Sequence, residues 1–323
     1  MSEPASESAT PDSGPRRVLV LTHTGRDEAR AFAHKVTESL RGHDVCVRLL
    51  DNEAAELGLV AQPGLELADA GSGDPAADCE LVVVLGGDGT ILRAAELVHG
   101  TGLPLLGVNL GHVGFLAEAE TEDVESVIEA IVSRRYEIEE RLTLEVSVHR
   151  GKDVVASAWA LNEASVEKAA RQRMLQVVIE VDGRPLSRFG CDGVVCATPT
   201  GSTAYNFSAG GPVVWPAVQA LLMVPISAHA LFARPFVVSP DSVLAVEVLA
   251  ESEGSGVLWC DGRRPVDLPP GARVEVRRGT TPVRLVRLHQ APFTDRLVAK
   301  FDLPVDGWRG SAPRRDRRPG AAR

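Results

Sequence analysis

The spacing of hydrophobic and polar positions changes near residue 140 of this chain. Before that point, continuous apolar runs typical of strands buried in a parallel sheet alternate with helical patterns. The clearest strands are 18–21 and the LVVVL run at Leu81–Leu85, and 27–41 carries apolar residues four apart, as an amphipathic helix does. Strands alternating with helices predict an α/β domain with a parallel sheet over residues 16–140.

The other elements of this first domain are predicted by the same rules. We expect strands at 44–50 and 103–108, and helices at 90–99 and 121–135. The segment 64–78 is rich in Gly, Ala and Asp, and it predicts a mobile loop.

After residue 140 the apolar positions recur every second residue, beginning with Leu142, Leu144, Val146 and Val148. Similar runs, separated by Gly, Pro and Asp turns, occur at 174–181, 193–197, 243–249, 273–276 and 283–288. This pattern predicts an all-β domain, a sandwich of antiparallel strands, over residues 141–290.

Three end segments fall outside these two domains. Residues 1–15, rich in Ser, Pro, Glu and Ala, predict a disordered leader. Residues 291–308 contain a helical stretch, Phe293–Phe301, that we expect to pack back on the first domain. Residues 309–323 carry six Arg against one acid, interleaved with Pro and Gly, and predict a disordered basic tail.

Composition narrows the classes of protein that remain. A hydrophobic content of 44% rules out wholesale disorder, and no apolar run is long enough for a membrane span. The net charge of −10 argues against partners such as nucleic acid or an anionic membrane. Five widely spaced cysteines without a CxxC pair, and no visible secretory signal, lead us to expect a cytoplasmic protein.

The sharpest chemical motif is Gly86-Gly87-Asp88-Gly89-Thr90, which directly follows the LVVVL strand and opens a helix. Its glycines let the backbone approach an anion closely. A carboxylate binds phosphate poorly, so Asp88 either accepts a proton from an attacking hydroxyl or holds a divalent cation near phosphates. The alternative is an ordinary turn in which Asp88 caps the helix. The chain has neither GxxxxGK[ST] nor GxGxxG after a strand, which excludes the two commonest phosphate-binding loops.

Two further loops carry polar groups. The Gly-rich segment 107–116 follows the next strand and should lie beside GGDGT, with Asn109 as its candidate ligand-binding residue. The segment 198–212, TPTGSTAYNFSAGGP, is rich in hydroxyl groups and suits binding of a sugar and a base, with Tyr205 stacking or donating its hydroxyl. Each of the two also fits a long structural connection. Asn162-Glu163 fits either ribose binding or a turn.

No metal-binding side chains are predicted beyond Asp88. None of the eight His forms an HExxH or HxH cluster, which argues against a catalytic zinc bound by the protein.

With GGDGT, NLGHVGFL, Asn162-Glu163 and TPTGSTAYNFSAGGP in this order, the chain resembles the NAD kinases, in particular the actinobacterial forms. The resemblance runs from about residue 16 to residue 308. GGDG alone is shared with diacylglycerol, sphingosine and 6-phosphofructokinase-like kinases, whereas its pairing with TPTGSTAY is far more specific.

This resemblance implies a Rossmann-like domain followed by a β-sandwich, with NAD in the cleft between them. The implied reaction transfers a phosphoryl group from ATP to the 2′-hydroxyl of the adenosine ribose, with inorganic polyphosphate as a possible second donor. Asp88 matches the catalytic acid of the family. The family needs Mg²⁺ or Mn²⁺ and forms homodimers and homotetramers in which a neighbouring subunit completes the site.

The motifs and the resemblance together predict the residues that bind NAD and the phosphate donor. They are Gly86, Gly87, Gly89, Thr90, Arg93, Asn109, Asn162, Glu163, Arg173, Asp192, Thr203, Ala204, Tyr205, Asn206, Phe207 and Ser208. Two other functions stay open at this point. One is a GGDG-type kinase that acts on a lipid or a sugar, and the other is a non-catalytic NADP-binding sensor, which would be expected to lack Asp88.

Overall fold

The structure is a computed structural model that describes residues 15–305 except 72, 110–113, 121–123, 172 and 289–291. The predicted leader (apart from residue 15), the predicted basic tail and the centre of the 107–116 loop lie outside the described residues. The first seven strands are β1 (Arg17–Thr22), β2 (Cys46–Leu50), β3 (Leu65–Ala68), β4 (Leu81–Leu85), β5 (Leu105–Asn109), β6 (Ala119–Glu120) and β7 (Glu137–Arg141).

The later strands alternate with turns for most of the second half of the chain. They are β8 (Leu144–Arg150), β9 (Asp153–Ala160), β10 (Glu163–Lys168), β11 (Leu175–Val181), β12 (Arg184–Cys191), β13 (Gly193–Ala197), β14 (Leu221–Ile226), β15 (Phe236–Val238), β16 (Leu244–Val248), β17 (Gly256–Cys260), β18 (Arg263–Leu268), β19 (Ala272–Arg278) and β20 (Val283–Arg287).

The helices are α1 (Asp27–Gly42), α2 (Asp51–Leu57), α3 (Asp88–Leu97), α4 (Val124–Ser133), α5 (Tyr205–Ser208) and α6 (Phe293–Phe301), and a short 3₁₀ helix spans Thr200–Thr203. Over the described ranges, none of these helices is both long and apolar enough to cross a bilayer.

The first sheet has the strand order β3-β2-β1-β4-β5-β20-β7, with β6 added beside β5. Every pair is parallel except β20 with β7. All five residues of β4 are buried, as the continuous LVVVL run predicts, because packed layers cover both faces of the sheet. The chain runs from β1 to β2 and β3 on one side of β1 and then crosses to β4 and β5 on the other side. This reversal of direction opens a crevice at the carboxyl ends of β1 and β4.

Two strands of this sheet contradict the sequence predictions, and two more, β6 and β7, lie where no strand was predicted. β3 lies inside 64–78, where a loop was expected; the run is only four residues long and pairs in parallel with β2 at the sheet edge. β20 lies inside the segment assigned to the second domain, yet it pairs with β5 and β7 of the first sheet. Its alternating VRLVR pattern is that of any half-buried strand, and periodicity does not say which sheet a strand joins.

The second domain is the predicted sandwich. One six-stranded sheet has the order β15-β14-β13-β10-β17-β18, and the other has the order β12-β11-β16-β19-β8-β9, with antiparallel pairs throughout. Apolar side chains from both sheets, such as Val166 of one and Val246 of the other, share a single buried core. The alternation that begins at Leu142 is therefore a true inward and outward alternation.

The two domains are joined by contacts near the end of α3 and the end of β9. Leu161, which follows β9, is fully buried in the first domain's core together with Ile91 and Leu116. Close by, the rings of His99 and Trp159 stack with centroids 3.8 Å apart and an interplanar angle of 7°. The residues after Leu161 are thereby held against the first domain.

This docking predicts the cost of removing the Leu161 side chain. Leu161→Ala should lower the free energy of unfolding by about 2–5 kcal/mol, as deletions of buried leucines do. Leu186→Ala, at a position that is 49% exposed on β12, is the matched control and should change stability little. Urea unfolding of both variants measures the difference, and equal losses would contradict the assigned docking role.

Candidate active site

Asp88 lies at the carboxyl edge of the first sheet, where β4 ends and α3 begins. Gly87 occupies the N-cap position of α3, and its carbonyl accepts hydrogen bonds from the N–H groups of Thr90 (2.9 Å) and Ile91 (3.2 Å). Asp88 is the first residue of the helix and not its N-cap, so the alternative in which Asp88 caps the helix is wrong. The Asp88 carboxylate accepts the N–H of Phe115 at 3.0 Å and that of Leu116 at 3.1 Å, across the edge of the sheet.

Glycines permit this close approach. A Cβ atom on Gly114 would lie 2.4 Å from Oδ1 of Asp88, and one on Gly86 would lie 2.5 Å from the Thr90 hydroxyl oxygen. Both distances are well inside van der Waals contact. The GGDGT turn and the glycine before Phe115 are thus shaped around one carboxylate.

A cavity of about 500 Å³ opens beside this turn, at the carboxyl ends of β1 and β4. Its lining consists of Thr22, His23, Thr24, Gly25, Arg26, Gly86, Gly87, Gly89, Thr90, Arg93 and Arg263. Three arginines and no acidic residue are found among these lining residues. Arg93 and Arg263 are ion-paired with Glu53 and with Glu96 (3.1 Å), acids that are not among the lining residues. The lining itself is therefore basic and presents guanidinium donors of the kind that bind phosphates.

Arg93 is held at this cavity by a buried carboxylate. Glu53 is 2% exposed, accepts the N–H of Thr22 at 2.8 Å and forms an ion pair with Arg93. Burial raises the pKa of Glu53, while the Thr22 N–H and the Arg93 charge oppose that rise. The guanidinium is consequently oriented by the protein before any ligand arrives.

Several of these residues were not predicted from the sequence. Arg93 was predicted, whereas 23–26, Glu53 and, as a site residue, Arg263 were not. The turn after β1 could have been found, because parallel neighbours β1 and β4 end at the same edge. The contribution of Arg263 depends on the docking of the two domains and had no local signal.

The backbone of the Asn162-Glu163 pair is positioned by an acidic residue, Asp261, that was not predicted from the sequence to belong to the site. The Asp261 carboxylate accepts the N–H groups of Leu161 (2.9 Å), Asn162 (2.7 Å) and Glu163 (3.3 Å). Arg264 forms an ion pair with it at 3.1 Å. The backbone at the entrance to β10 is therefore fixed by one side chain from the neighbouring β17–β18 turn.

Glu163 is a buried carboxyl with an unused acceptor. It is 6% exposed, the N–H of Tyr205 donates to it, and its Oε2 atom has no hydrogen-bond partner in the described part of the chain. Burial, with the nearby Asp261 charge, raises the pKa of Glu163 to about 8. An oxygen without a partner beside a cavity of about 390 Å³ fits a ligand that brings hydroxyl groups, such as a ribose, because a hydroxyl can either donate or accept.

Part of the 198–212 loop holds the Asn162 backbone in place. The Thr198 hydroxyl donates to the Leu161 carbonyl at 2.6 Å, and a Cβ atom on Gly201 would lie 2.0 Å from the Asn162 carbonyl oxygen. Asn206 is fully buried, and its amide donates to the carbonyls of Ser202 and Pro212 at 3.1 Å each. These groups define the shape of the loop.

The other predicted residues of this loop lie on its accessible side. Thr203, Ala204 and Tyr205 are partly exposed, and Phe207 and Ser208 are exposed. They are therefore available to a ligand in a way that Asn206 is not. Asn109 is 6% exposed at the end of β5.

Arg173 and Asp192 lie away from Glu163. Asp192 forms an ion pair with Lys168 at 2.5 Å, which holds the pKa of that carboxyl low, and Arg173 donates to the Glu253 carbonyl at 2.8 Å. Glu163 and Lys168 are the two ends of β10, five residues at about 3.3 Å each, or roughly 16 Å apart. Within one chain, Asp192 therefore lies at the far end of the strand from Glu163.

Across the described ranges, no cluster of three or more His, Cys, Asp or Glu side chains is arranged to hold a metal ion. The acidic side chains described near the cavity therefore do not form a group of metal ligands. Any cation bound here would need ligands from a substrate as well as from the protein.

The parallel sheet, the glycine turn around a single carboxylate and the docked sandwich define a two-domain phosphotransferase with a basic phosphate cavity. The model of the ATP-NAD kinase N-terminal domain matches residues 18–136, and that of the ATP-NAD kinase C-terminal domain matches residues 161–288. The chain belongs to the NAD kinase family, and its activity is that of an NAD kinase.

Relatives and solved structures agree with this assignment. The chain is 61% identical to NAD kinase 2 of Streptomyces coelicolor over 92% of this chain and 97% of that one, and 61% identical to the NAD kinase of Thermobifida fusca over 93% and 94%. Yeast NADH kinase complexed with NADH superposes with a TM-score of 0.82 at 25% identity, covering 91% of this chain and 90% of that one. An NAD kinase from Archaeoglobus fulgidus in complex with ATP gives 0.67 at 27% identity, covering 89% and 98%.

The contact of Gly114 with Asp88 predicts a selective loss of activity. Gly114→Ala should displace the Asp88 carboxylate. With the catalytic role proposed below for Asp88, kcat should fall by about 100-fold, because small displacements of a reacting group are costly. Gly42→Ala, at the end of α1, is the control, since a Cβ atom added there would meet no neighbouring group within 4 Å. Steady-state kinetics with thermal unfolding checks this, and a fully active Gly114→Ala enzyme would contradict the stated geometry.

The raised pKa of Glu163 predicts how stability depends on pH. The folded protein keeps this proton up to about pH 8, whereas an ordinary Glu loses it near pH 4.5. The unfolded chain binds fewer protons between these values, so the contribution of Glu163 to the free energy of unfolding falls as pH rises through that window.

Glu163→Gln removes this titration. Between pH 5 and pH 8, the free energy of unfolding of ligand-free Glu163→Gln should therefore rise relative to that of the parent protein by on the order of 1 kcal/mol or more. Urea unfolding at several pH values measures the gain. Glu28→Gln, at an exposed position, is the control, and its free energy of unfolding should change with pH as that of the parent protein does. If the free energy of unfolding of Glu163→Gln also changes with pH as that of the parent protein does, Glu163 titrates normally.

Proposed function

We propose that the chain phosphorylates the 2′-hydroxyl of the adenosine ribose of NAD, with ATP as donor and Asp88 as the group that takes the hydroxyl proton. One observation carries the proposal. Asp88 stands between Gly87 and Gly89, which line the basic cavity, and its carboxylate accepts the N–H of Leu116. The Leu116 side chain packs in the same core as Leu161, the residue before the Asn162-Glu163 pair. A donor on one side and a ribose on the other would meet at this carboxylate.

The basic cavity supports the donor side of the proposal. Arg26, Arg93 and Arg263 supply charge, and the glycine turn at the start of α3 supplies backbone N–H groups for phosphate oxygens. These groups recognise phosphates irrespective of an attached base. We therefore extend the proposal to inorganic polyphosphate as a second donor.

The acceptor side is supported by the Glu163 region. The free Oε2 of Glu163 fits a ribose hydroxyl, and the accessible residues Thr203–Ser208 (with Asn206 shaping the loop from within) would surround adenine and its ribose. Tyr205 lines the cavity next to Glu163 and offers a ring face to a base.

The proposed chemical step follows from the chemistry of a weak nucleophile. The 2′-oxygen forms a bond to the terminal phosphorus of ATP, the bond from that phosphorus to the bridging oxygen breaks, and ADP leaves. The hydroxyl proton passes to the Asp88 carboxylate. A positioned base of this kind contributes about 10²–10⁴-fold to the rate, and the arginines stabilise charge on the transferred phosphoryl group.

A divalent cation, Mg²⁺ or Mn²⁺, fits this site only as a substrate-bound ion. Mg²⁺ is commonly held by one or two carboxylates together with substrate phosphates. Asp88 is the carboxylate at the cavity edge, so it would be the residue that contacts such an ion. When bound, the ion supplies neutralisation of the phosphate charge.

We also propose that the enzyme is a cytoplasmic homodimer or homotetramer in which Asp192 and Arg173 reach the NAD of a neighbouring subunit. Their place at the far end of β10 from Glu163 supports a role across an interface. All five cysteines are free, four of them buried, which suits a reducing compartment. Sedimentation of the purified protein measures the number of subunits.

The test of this function is Asp88→Asn. We expect NADP formation from NAD and ATP to fall by about 10²–10⁴-fold. Binding of NAD should persist, because the substitution keeps the side-chain volume. Asp153→Asn, at an exposed position on β9, is the matched control and should be fully active. The assay contains Mg²⁺ and identifies the product with a dehydrogenase specific for NADP.

Other outcomes would point to other functions. Turnover of diacylglycerol or fructose 6-phosphate in preference to NAD would favour the lipid or sugar kinase alternative. Tight NADP binding without turnover by the parent protein would favour a sensor. Undiminished activity in Asp88→Asn would remove Asp88 from the mechanism.

A further inference from the structure

The support beneath Asp88 comes from the far end of the chain. The carboxylate rests on the N–H groups of Phe115 and Leu116, and the carbonyl sides of this segment face α6. From α6, Nη1 of Arg296 donates to the carbonyl of Phe115 at 3.1 Å and to that of Ala117 at 2.8 Å. About 180 residues of sequence separate these partners.

One peptide group therefore connects Arg296 to Asp88. The carbonyl of Phe115 and the N–H of Leu116 belong to the same peptide unit; the first accepts from Arg296, and the second donates to Asp88 at 3.1 Å. A cation at the oxygen end of a peptide polarises it and strengthens the hydrogen bond made by its N–H end. The contacts therefore lead from the Arg296 guanidinium through this peptide group to the Asp88 carboxylate.

Arg296 is itself held rigidly. Its Nη2 atom pairs with Glu118 at 2.5 Å, and Glu118, whose side chain is 1% exposed, also pairs with Arg287 at 2.7 Å. The Arg296 side chain is 14% exposed. A buried, doubly paired carboxylate leaves the guanidinium little freedom, so the two carbonyls are held at a fixed place.

Aromatic packing holds α6 in the same position. The ring of Phe115 contacts those of Phe293 and Phe301, with centroids 5.7 and 5.9 Å apart. Phe301 also stacks on Phe207 of the 198–212 loop, with centroids 4.6 Å apart. α6 thus touches both the support of Asp88 and the loop assigned to the acceptor substrate.

We propose that Arg296 is a positioning residue for the phosphoryl transfer, which holds the Asp88 carboxylate through the Phe115–Leu116 peptide. It touches neither substrate nor reacting atoms, and it acts by fixing the two N–H groups that Asp88 accepts. The proposal rests on the catalytic role proposed above for Asp88. With this role for Arg296, α6 is part of the active site.

The test compares Arg296→Gln, Arg296→Lys and Arg284→Ala in the full chain. Arg296→Gln should lower kcat by about 10- to 100-fold, because the carboxylate loses its fixed place, with little change in the KM for NAD or for ATP. The kcat of Arg296→Lys should lie between those of the parent protein and Arg296→Gln, since an ammonium keeps the positive charge but loses the forked donors of the guanidinium. Arg284 lies on the neighbouring β20 and bonds Glu140 and Gly102 instead, so Arg284→Ala should be fully active.

Two further measurements separate positioning from general loss of structure. Millimolar guanidinium added to Arg296→Gln should restore part of the lost kcat, an effect that a merely unfolded fraction would not show. In the Asp88→Asn background, Arg296→Gln should cause little additional loss, because both changes remove the same arrangement.

The outcomes distinguish this inference from the proposed function. If Asp88→Asn is fully active, the catalytic role of Asp88 fails and the inference fails with it. If Asp88→Asn is impaired while Arg296→Gln keeps its kcat, or if the losses multiply in the double variant, the role of Arg296 is overturned and that of Asp88 stands.

Discussion

The active site depends on the parallel pairing of β4 with β5. The register runs from Val82 opposite Leu105 to Leu85 opposite Val108, so the two strands end side by side. The turn after β4 carries Asp88, and the segment after β5 carries the N–H groups that receive it. The three leucine and valine side chains of β4 on one face and the two valines on the other pack into separate buried clusters. A shift of this register by one residue would exchange these sets and disturb close packing on both faces, so the core itself maintains the geometry of the site.

Acidic side chains organise much of the chemistry around this edge. Glu53 orients Arg93, Asp261 fixes the backbone at Asn162, and Glu118 anchors Arg296. Each is buried and paired or hydrogen-bonded, which offsets the cost of removing a charge from water. Glu163 differs because one of its oxygens lacks a partner in the described part of the chain, while burial and the nearby Asp261 charge raise its pKa to about 8. Buried acids that are satisfied build the site, and the one that is unsatisfied faces the place of a ligand.

The sequence predicted the fold class and most of the elements for clear physical reasons. LVVVL predicts a strand buried on both faces, and β4 spans those five residues; alternation from Leu142 predicts the sandwich. β3 was missed because it is short and pairs at an edge, and β20 was assigned to the other domain because period-two patterning carries no information about partners. In the site, Asp88 could be selected from its glycine neighbours, whereas Asp261 and Arg296 could not.

What the sequence determined by itself is the set of local choices: where strands and helices form, where glycine frees the backbone, and which motif places an acid after a buried strand. These choices depend on a few neighbouring residues and leave a pattern in them. Only the tertiary structure decided which distant groups meet. Asp261 reaches the N–H groups of 161–163 across about a hundred residues, and Arg296 reaches Phe115 across about 180. Such contacts are made by the docking of whole elements, and hydrogen bonds between them leave no periodic trace in the chain.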